Sequence, residues 1–158
     1  MAKNIYDFKL TEMNGQIIDF NRFRDRVILI VNTASKCGLA GQLKDLEYLY
    51  QKYSDDGFIV IGVPSNQFHM ELKSNQKTSE YCQLHFGVTF PMSKQAKVNG
   101  QDELPLFKYL KDQSKRGRIK FNYTKFLIGR EGNLVRRYSP FKTPKKFEQD
   151  IINEINNG

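Results

Sequence analysis

Two stretches of the chain are apolar throughout, Val-Ile-Leu-Ile-Val at 27–31 and Phe-Ile-Val-Ile-Gly-Val at 58–63. Runs of that length without polar alternation are expected of strands buried on both faces of a sheet. Between them Leu43, Leu46, Leu49, Tyr50 and Tyr53 recur at three- and four-residue spacing. That spacing predicts a helix with one apolar face, ended at Asp56-Gly57. Strand, helix and strand in this order predict a parallel βαβ unit with a right-handed crossover.

The other segments are shorter. Asn14-Gly15 supplies a hairpin turn between 8–10 and 17–20. Residues 64–73 carry no periodicity and read as a loop. A second helix is expected over about 75–86, burying Tyr81 and Leu84 with Cys82 among them, and Gly87 stops it. Leu104, Phe107, Tyr109 and Leu110 mark a short third helix after the Asn99-Gly100 turn. Segments 124–128 and 134–138 flank Gly-Arg-Glu-Gly-Asn and predict a second hairpin. Thr143-Pro144 is an N-cap followed by proline at the first helical position, opening a last helix with Phe147, Ile151 and Ile155 on one face. No linker, repeat or low-complexity tract interrupts this order, so one α/β domain over 1–158 is expected.

Composition narrows the classes. With 39% apolar and 27% charged residues the chain has the balance of a soluble globular domain. No apolar run approaches the ~20 residues of a membrane span. The N-terminal Met-Ala-Lys-Asn-Ile-Tyr-Asp-Phe has no apolar signal region, and two cysteines are too few for a disulfide framework. The expectation is a cytoplasmic protein whose thiols are reduced at rest. The net charge of +8 gathers at Lys115, Arg116, Arg118 and Lys120, and at Arg136, Arg137, Lys142, Lys145 and Lys146. No helix-turn-helix, RNA-binding or zinc-finger signature accompanies it, so no nucleic acid is expected. A solvated basic face or an acidic protein partner fits the charge. Cys37, His69, Cys82 and His85 match no common zinc spacing, and neither metal nor cofactor is expected.

The chemistry sits where the first buried strand ends. Asn-Thr-Ala-Ser-Lys-Cys-Gly at 32–38 delivers Cys37 to the carboxyl edge of a parallel sheet, ahead of a helix. A free thiol, with pKa of about 8.5, is only a few per cent thiolate at neutral pH. The helix start, the amides of Gly38 and Leu39, and the charge of Lys36 are three features that favour the anion.

Cys37-Gly38-Leu39-Ala40 lacks the second cysteine of a thioredoxin dithiol, and Ile30 and Ala34 stand where a peroxiredoxin carries proline and threonine. Residues 32–39 resemble instead the active-site motif of the glutathione peroxidase family, with cysteine where some relatives carry selenocysteine. Four further blocks follow in the family's order: Pro-Ser-Asn-Gln-Phe at 64–68, Gly-Val-Thr-Phe-Pro at 87–91, Val-Asn-Gly at 98–100 and Phe-Asn-Tyr-Thr-Lys-Phe-Leu at 121–127. The resemblance implies a thioredoxin-like fold, with a mixed central sheet flanked by helices and an N-terminal β-hairpin. It implies a thiol-based peroxidase acting on hydrogen peroxide and organic hydroperoxides, with Cys37 as the peroxidatic cysteine. Cys82 matches the resolving cysteine of the family's thioredoxin-dependent members. Thioredoxin or another thiol would then be the reductant, and the Cys82 helix would have to unwind locally. Asn122 matches a site asparagine.

Two positions depart from the family. Its glutamine is matched by Glu71, and the tryptophan of its Trp-Asn-Phe-Thr-Lys-Phe is Phe121. Glutamine and tryptophan donate hydrogen bonds; an ionised glutamate only accepts and phenylalanine does neither. A slower peroxidase is expected. With no long insertion before Ile119, the chain resembles the family's monomeric members. A thiol redox sensor or partner-binding protein with a weakened peroxidase site is the alternative.

Overall fold

The computed structural model describes residues 4–157. The first three residues of the N-terminal stretch discussed above, and Gly158, lie outside the described residues. The chain opens with an antiparallel hairpin of β1 (Lys9–Thr11) and β2 (Ile17–Asp19). The central sheet has four strands, β3 (Val27–Thr33), β4 (Phe58–Pro64), β5 (Lys125–Ile128) and β6 (Leu134–Tyr138), in the order β4-β3-β5-β6. β3 runs parallel to β4 and antiparallel to β5, so the sheet is mixed. Every residue of β3 and β4 is buried, as their unbroken apolar runs require.

Four helices complete the fold: α1 (Gln42–Tyr53), α2 (Asn75–Phe86), α3 (Pro105–Ser114) and α4 (Glu148–Asn156). Strand alternation divides the core in two. Val27, Leu29, Val31 and Leu127 face Leu43, Leu46, Leu49, Phe147 and Ile151, and this cluster holds both cysteines. Ile28, Ile30, Ile59, Ile61 and Phe126 face Leu106, Phe107, Leu110 and the hairpin.

Several expectations change in detail. Of α2 only Thr78 and Cys82 are buried; Tyr81 is half-buried and Leu84 is 82% exposed. Only one narrow stripe of the helix meets the core. Leu104 caps α3 instead of entering its apolar face, which Leu106 joins. After Thr143 the chain first makes a 3-10 turn over Pro144–Phe147, and the Thr143 side chain forms no cap bond. Part of the basic charge closes loops. Arg137 donates to the carbonyls of Gly117 and Arg118, and Arg130 to those of Asp25, Asp56 and Ile155.

Candidate active site

β3 ends at Thr33, and the turn over 34–37 then carries Cys37 away from the sheet edge. Ala34, Ser35 and Lys36 of that turn are fixed by residues distant in the chain. The carbonyl of Ala34 accepts the Tyr123 hydroxyl at 2.9 Å and the Cys37 amide at 3.4 Å. The amide of Ser35 donates to the Glu71 carboxylate at 3.2 Å, and its hydroxyl lies 3.6 Å from the Cys82 sulfur. Lys36 donates its amide to the Met70 carbonyl at 2.8 Å. The Lys36 ammonium stands 4.7 Å from the centre of the Tyr81 ring, so its charge is directed to α2.

Cys37 itself is 6% exposed. α1 begins only at Gln42, and 38–41 lead into it through bonds such as Ala40 to Cys37 (2.9 Å) and Leu43 to Ala40 (2.9 Å). The helix dipole therefore acts from more than a turn away, weaker than the sequence suggested. Of the two candidate amides, that of Leu39 donates to Sγ at 3.4 Å, and that of Gly38 does not.

Cys82, on α2, is 2% exposed. Burial pushes its thiol up to about 11; the Ser35 hydroxyl opposes that shift and the Glu71 carboxylate adds to it. It is held as a protonated, unreactive thiol at neutral pH. Glu71 binds the amides of Ser35 and Leu72 and the Thr78 hydroxyl. Its oxygens thus join the Cys37 turn to α2 instead of bonding the Cys37 sulfur. Phe121 packs edge-on against Phe68, with 5.7 Å between ring centres, at the margin of the cluster that holds Cys37.

Asn122 is fully buried. Its Oδ1 accepts from the Asn32 amide at 3.4 Å, and its Nδ2 has no acceptor. Both N–H groups are therefore unspent, as in a donor that awaits a developing charge. His69 is exposed, and His85 stacks on Tyr81 with 4.1 Å between ring centres. Among the described residues no three His, Cys, Asp or Glu side chains group as metal ligands.

Three contributors escape sequence reasoning. Ser35 and Tyr123 lie inside motif blocks with nothing local to mark them, because their partners are distant in the chain. Lys125 is the third: fully buried, it donates to the carbonyls of Ser139, Pro140 and Lys142 at 3.3, 3.0 and 2.8 Å. Burial lowers its pKa to about 7, while three acceptors for three N–H groups favour the charged form. A lysine opening a buried apolar strand was the available signal. Gln42 donates to the same Pro140 carbonyl at 2.8 Å, so this loop also anchors the start of α1.

The family model for glutathione peroxidase matches residues 5–111. A glutathione peroxidase of Lactococcus lactis subsp. cremoris is 42% identical over 152 residues, spanning 94% of this chain and 97% of that protein. A glutathione peroxidase-like peroxiredoxin of Schizosaccharomyces pombe is 43% identical over 152 residues, spanning 94% of this chain and 96% of that protein. Among solved structures, that of Trgpx in apo form superposes with a TM-score of 0.81 at 36% identity, covering 99% of this chain and 97% of that one. A thioredoxin-family thiol:disulfide interchange protein of Chlorobium tepidum superposes at 0.76 with 14% identity, covering 98% of this chain and 99% of that one, a likeness of fold alone.

Proposed function

The chain belongs to the glutathione peroxidase family and is a thiol peroxidase; we propose that Cys37 attacks the hydroperoxide and Cys82 resolves the product. The observation that supports the pairing is the approach of both cysteines to one turn. The Cys82 sulfur lies 3.6 Å from Ser35, two positions before Cys37.

In the first step the Cys37 thiolate attacks the terminal oxygen of the hydroperoxide. The S–O bond forms as the O–O bond breaks, the leaving alkoxide or hydroxide takes a proton from solvent to depart as alcohol or water, and sulfenic acid remains. The Leu39 amide stabilises the thiolate, and Asn122 Nδ2 donates to the charge that develops on oxygen. In the second step Cys82 attacks the sulfenic sulfur, giving a disulfide and water. Burial keeps Cys82 protonated until α2 opens locally; once wetted, its thiol returns to the ordinary range and becomes a nucleophile. A dithiol, thioredoxin or another thiol of that class, then reduces the disulfide by exchange and is itself oxidised. This reading includes hydrogen peroxide and organic hydroperoxides as substrates, and a single domain acting as a cytoplasmic monomer. Family membership favours sustained turnover over the redox-sensor alternative.

Peroxide consumption coupled to thioredoxin, thioredoxin reductase and NADPH tests the cycle. Wild type is expected to turn over continuously and Cys37→Ser to be inactive. Cys82→Ser is expected to consume about one equivalent of peroxide and stop as sulfenic acid, or about two where the sulfenic acid is oxidised on to sulfinic acid. Sustained turnover by Cys82→Ser would remove Cys82 from the cycle, and activity in Cys37→Ser would overturn the assignment altogether.

A further inference from the structure

The segment after Ile119 carries the family's Trp-Asn-Phe as Phe121-Asn122-Tyr123, so the indole N–H is lost at the first position while a hydroxyl stands at the third. Tyr123 is fully buried and has a backbone φ of 69°, in the left-handed region that bulky side chains rarely occupy. Such a conformation persists only where surrounding contacts fix it. Here the Tyr123 amide donates to the Asn32 carbonyl at 2.7 Å, and its hydroxyl reaches Ala34, donating to the carbonyl at 2.9 Å. The Ala34 amide points back at the same hydroxyl from 3.5 Å.

The Ala34 carbonyl also takes the Cys37 amide, at 3.4 Å. One oxygen is thus shared between the turn that displays the sulfur and the Tyr123 phenol. Cys37, Cys82 and Glu71 all act electrostatically on that phenol, placing it among the groups of the site. We propose that Tyr123 is a positioning residue for the peroxidatic reaction, its hydroxyl fixing the Ala34-to-Cys37 turn. Burial raises the phenol well above its ordinary range, so it remains a protonated donor at every pH at which the site works. Without it the Ala34 carbonyl keeps only the long Cys37 amide bond, and the Leu39 amide loses part of its fixed aim at the sulfur.

This inference rests on Cys37 being the peroxidatic thiol. Tyr123→Phe removes one oxygen and installs the family's residue, which keeps the ring in the core. Its test is the rate of peroxide oxidation of Cys37 against pH, measured in a Cys82→Ser background so that a single thiol is followed, with Cys37→Ser as the control. The rate is expected to fall about tenfold, as for one net hydrogen bond. The apparent thiol pKa in the profile should rise. An unchanged rate and profile in Tyr123→Phe, or a slower rate with an unmoved profile, would overturn the positioning role. Peroxide consumption at the normal rate in Cys37→Ser, with Cys82 intact, would instead sink the assignment of the peroxidatic thiol, a result distinct from either.

Discussion

α1 and α2 are both 12 residues long, yet the protein holds them in opposite ways. α1 buries Leu43, Leu46, Leu49 and Tyr53 against β3 and β4. Each side chain of that size contributes about 1.5–3 kcal/mol on full burial. α2 buries one small sulfur and one hydroxyl, leaving Leu84 82% exposed. Its attachments are polar: the Ser74 hydroxyl caps its first turn, and Thr78 joins Glu71 and Gln95. Beyond Gly87, whose φ of 64° ends the helix, Glu47 of α1 takes the amides of Thr89 and Phe90. The chain is therefore fixed on either side of α2 and only lightly held along it. A reactive thiol needs a rigid frame, whereas a resolving thiol has to travel. The difference in burial suits the proposed cycle, in which the frame ahead of α1 stays fixed and α2 opens.

The contrast is most severely tested by Leu46→Ala. In α1 that truncation is expected to cost about 2–5 kcal/mol of global stability, seen as a lower denaturant midpoint. A cost below 1 kcal/mol would mean that α1 is no better anchored than α2. Second in size is a pH effect. The closed, buried Cys82 thiol is raised from 9.0 to about 11, so the opened form loses its proton first as pH rises. The free energy for opening α2 is full below pH 9 and falls between pH 9 and about 11, by on the order of 2 kcal/mol. Hydrogen exchange of α2 amides, corrected for intrinsic rates, should show that fall in wild type and not in Cys82→Ser. Thr78→Val removes the hydroxyl that joins Glu71 and Gln95 and should lower the cost of opening by about 1–1.5 kcal/mol. α2 exchange and formation of the Cys37–Cys82 disulfide should accelerate together; acceleration of exchange across α1 as well would show global rather than local opening. Leu84→Ala should stay within about 0.5 kcal/mol of wild type. A larger loss would place Leu84 in a contact absent from this fold.

The same contrast marks how far the sequence could be read. Periodicity located α1 because its apolar positions do meet the sheet. The end of α2 was legible from Gly87, but Tyr81 and Leu84 imitate a buried face that the helix does not have. Cys37 was legible from the strand, the bend and the motif around it. Asn122 was legible from its motif alone, and its unspent donor appears only once the segment folds against Asn32. Glu71 could be matched to the family's glutamine by position. Its attachment to Ser35 and Thr78, rather than to the Cys37 sulfur, depends on how two loops cross.

By itself the sequence determined the elements whose signals are local: two continuously apolar strands, an amphipathic α1, the turns, and a cysteine placed at a strand end. Tertiary structure alone decided the contacts that tune that cysteine. The Tyr123 hydroxyl meets Ala34 across 89 positions, Ser35 meets Cys82 across 47, and Ser35 meets Glu71 across 36. The reason is physical. Apolar periodicity is written residue by residue because burial requires it everywhere along an element. A hydrogen bond between distant segments needs one suitable atom on each, and only the packed sheet brings those atoms together.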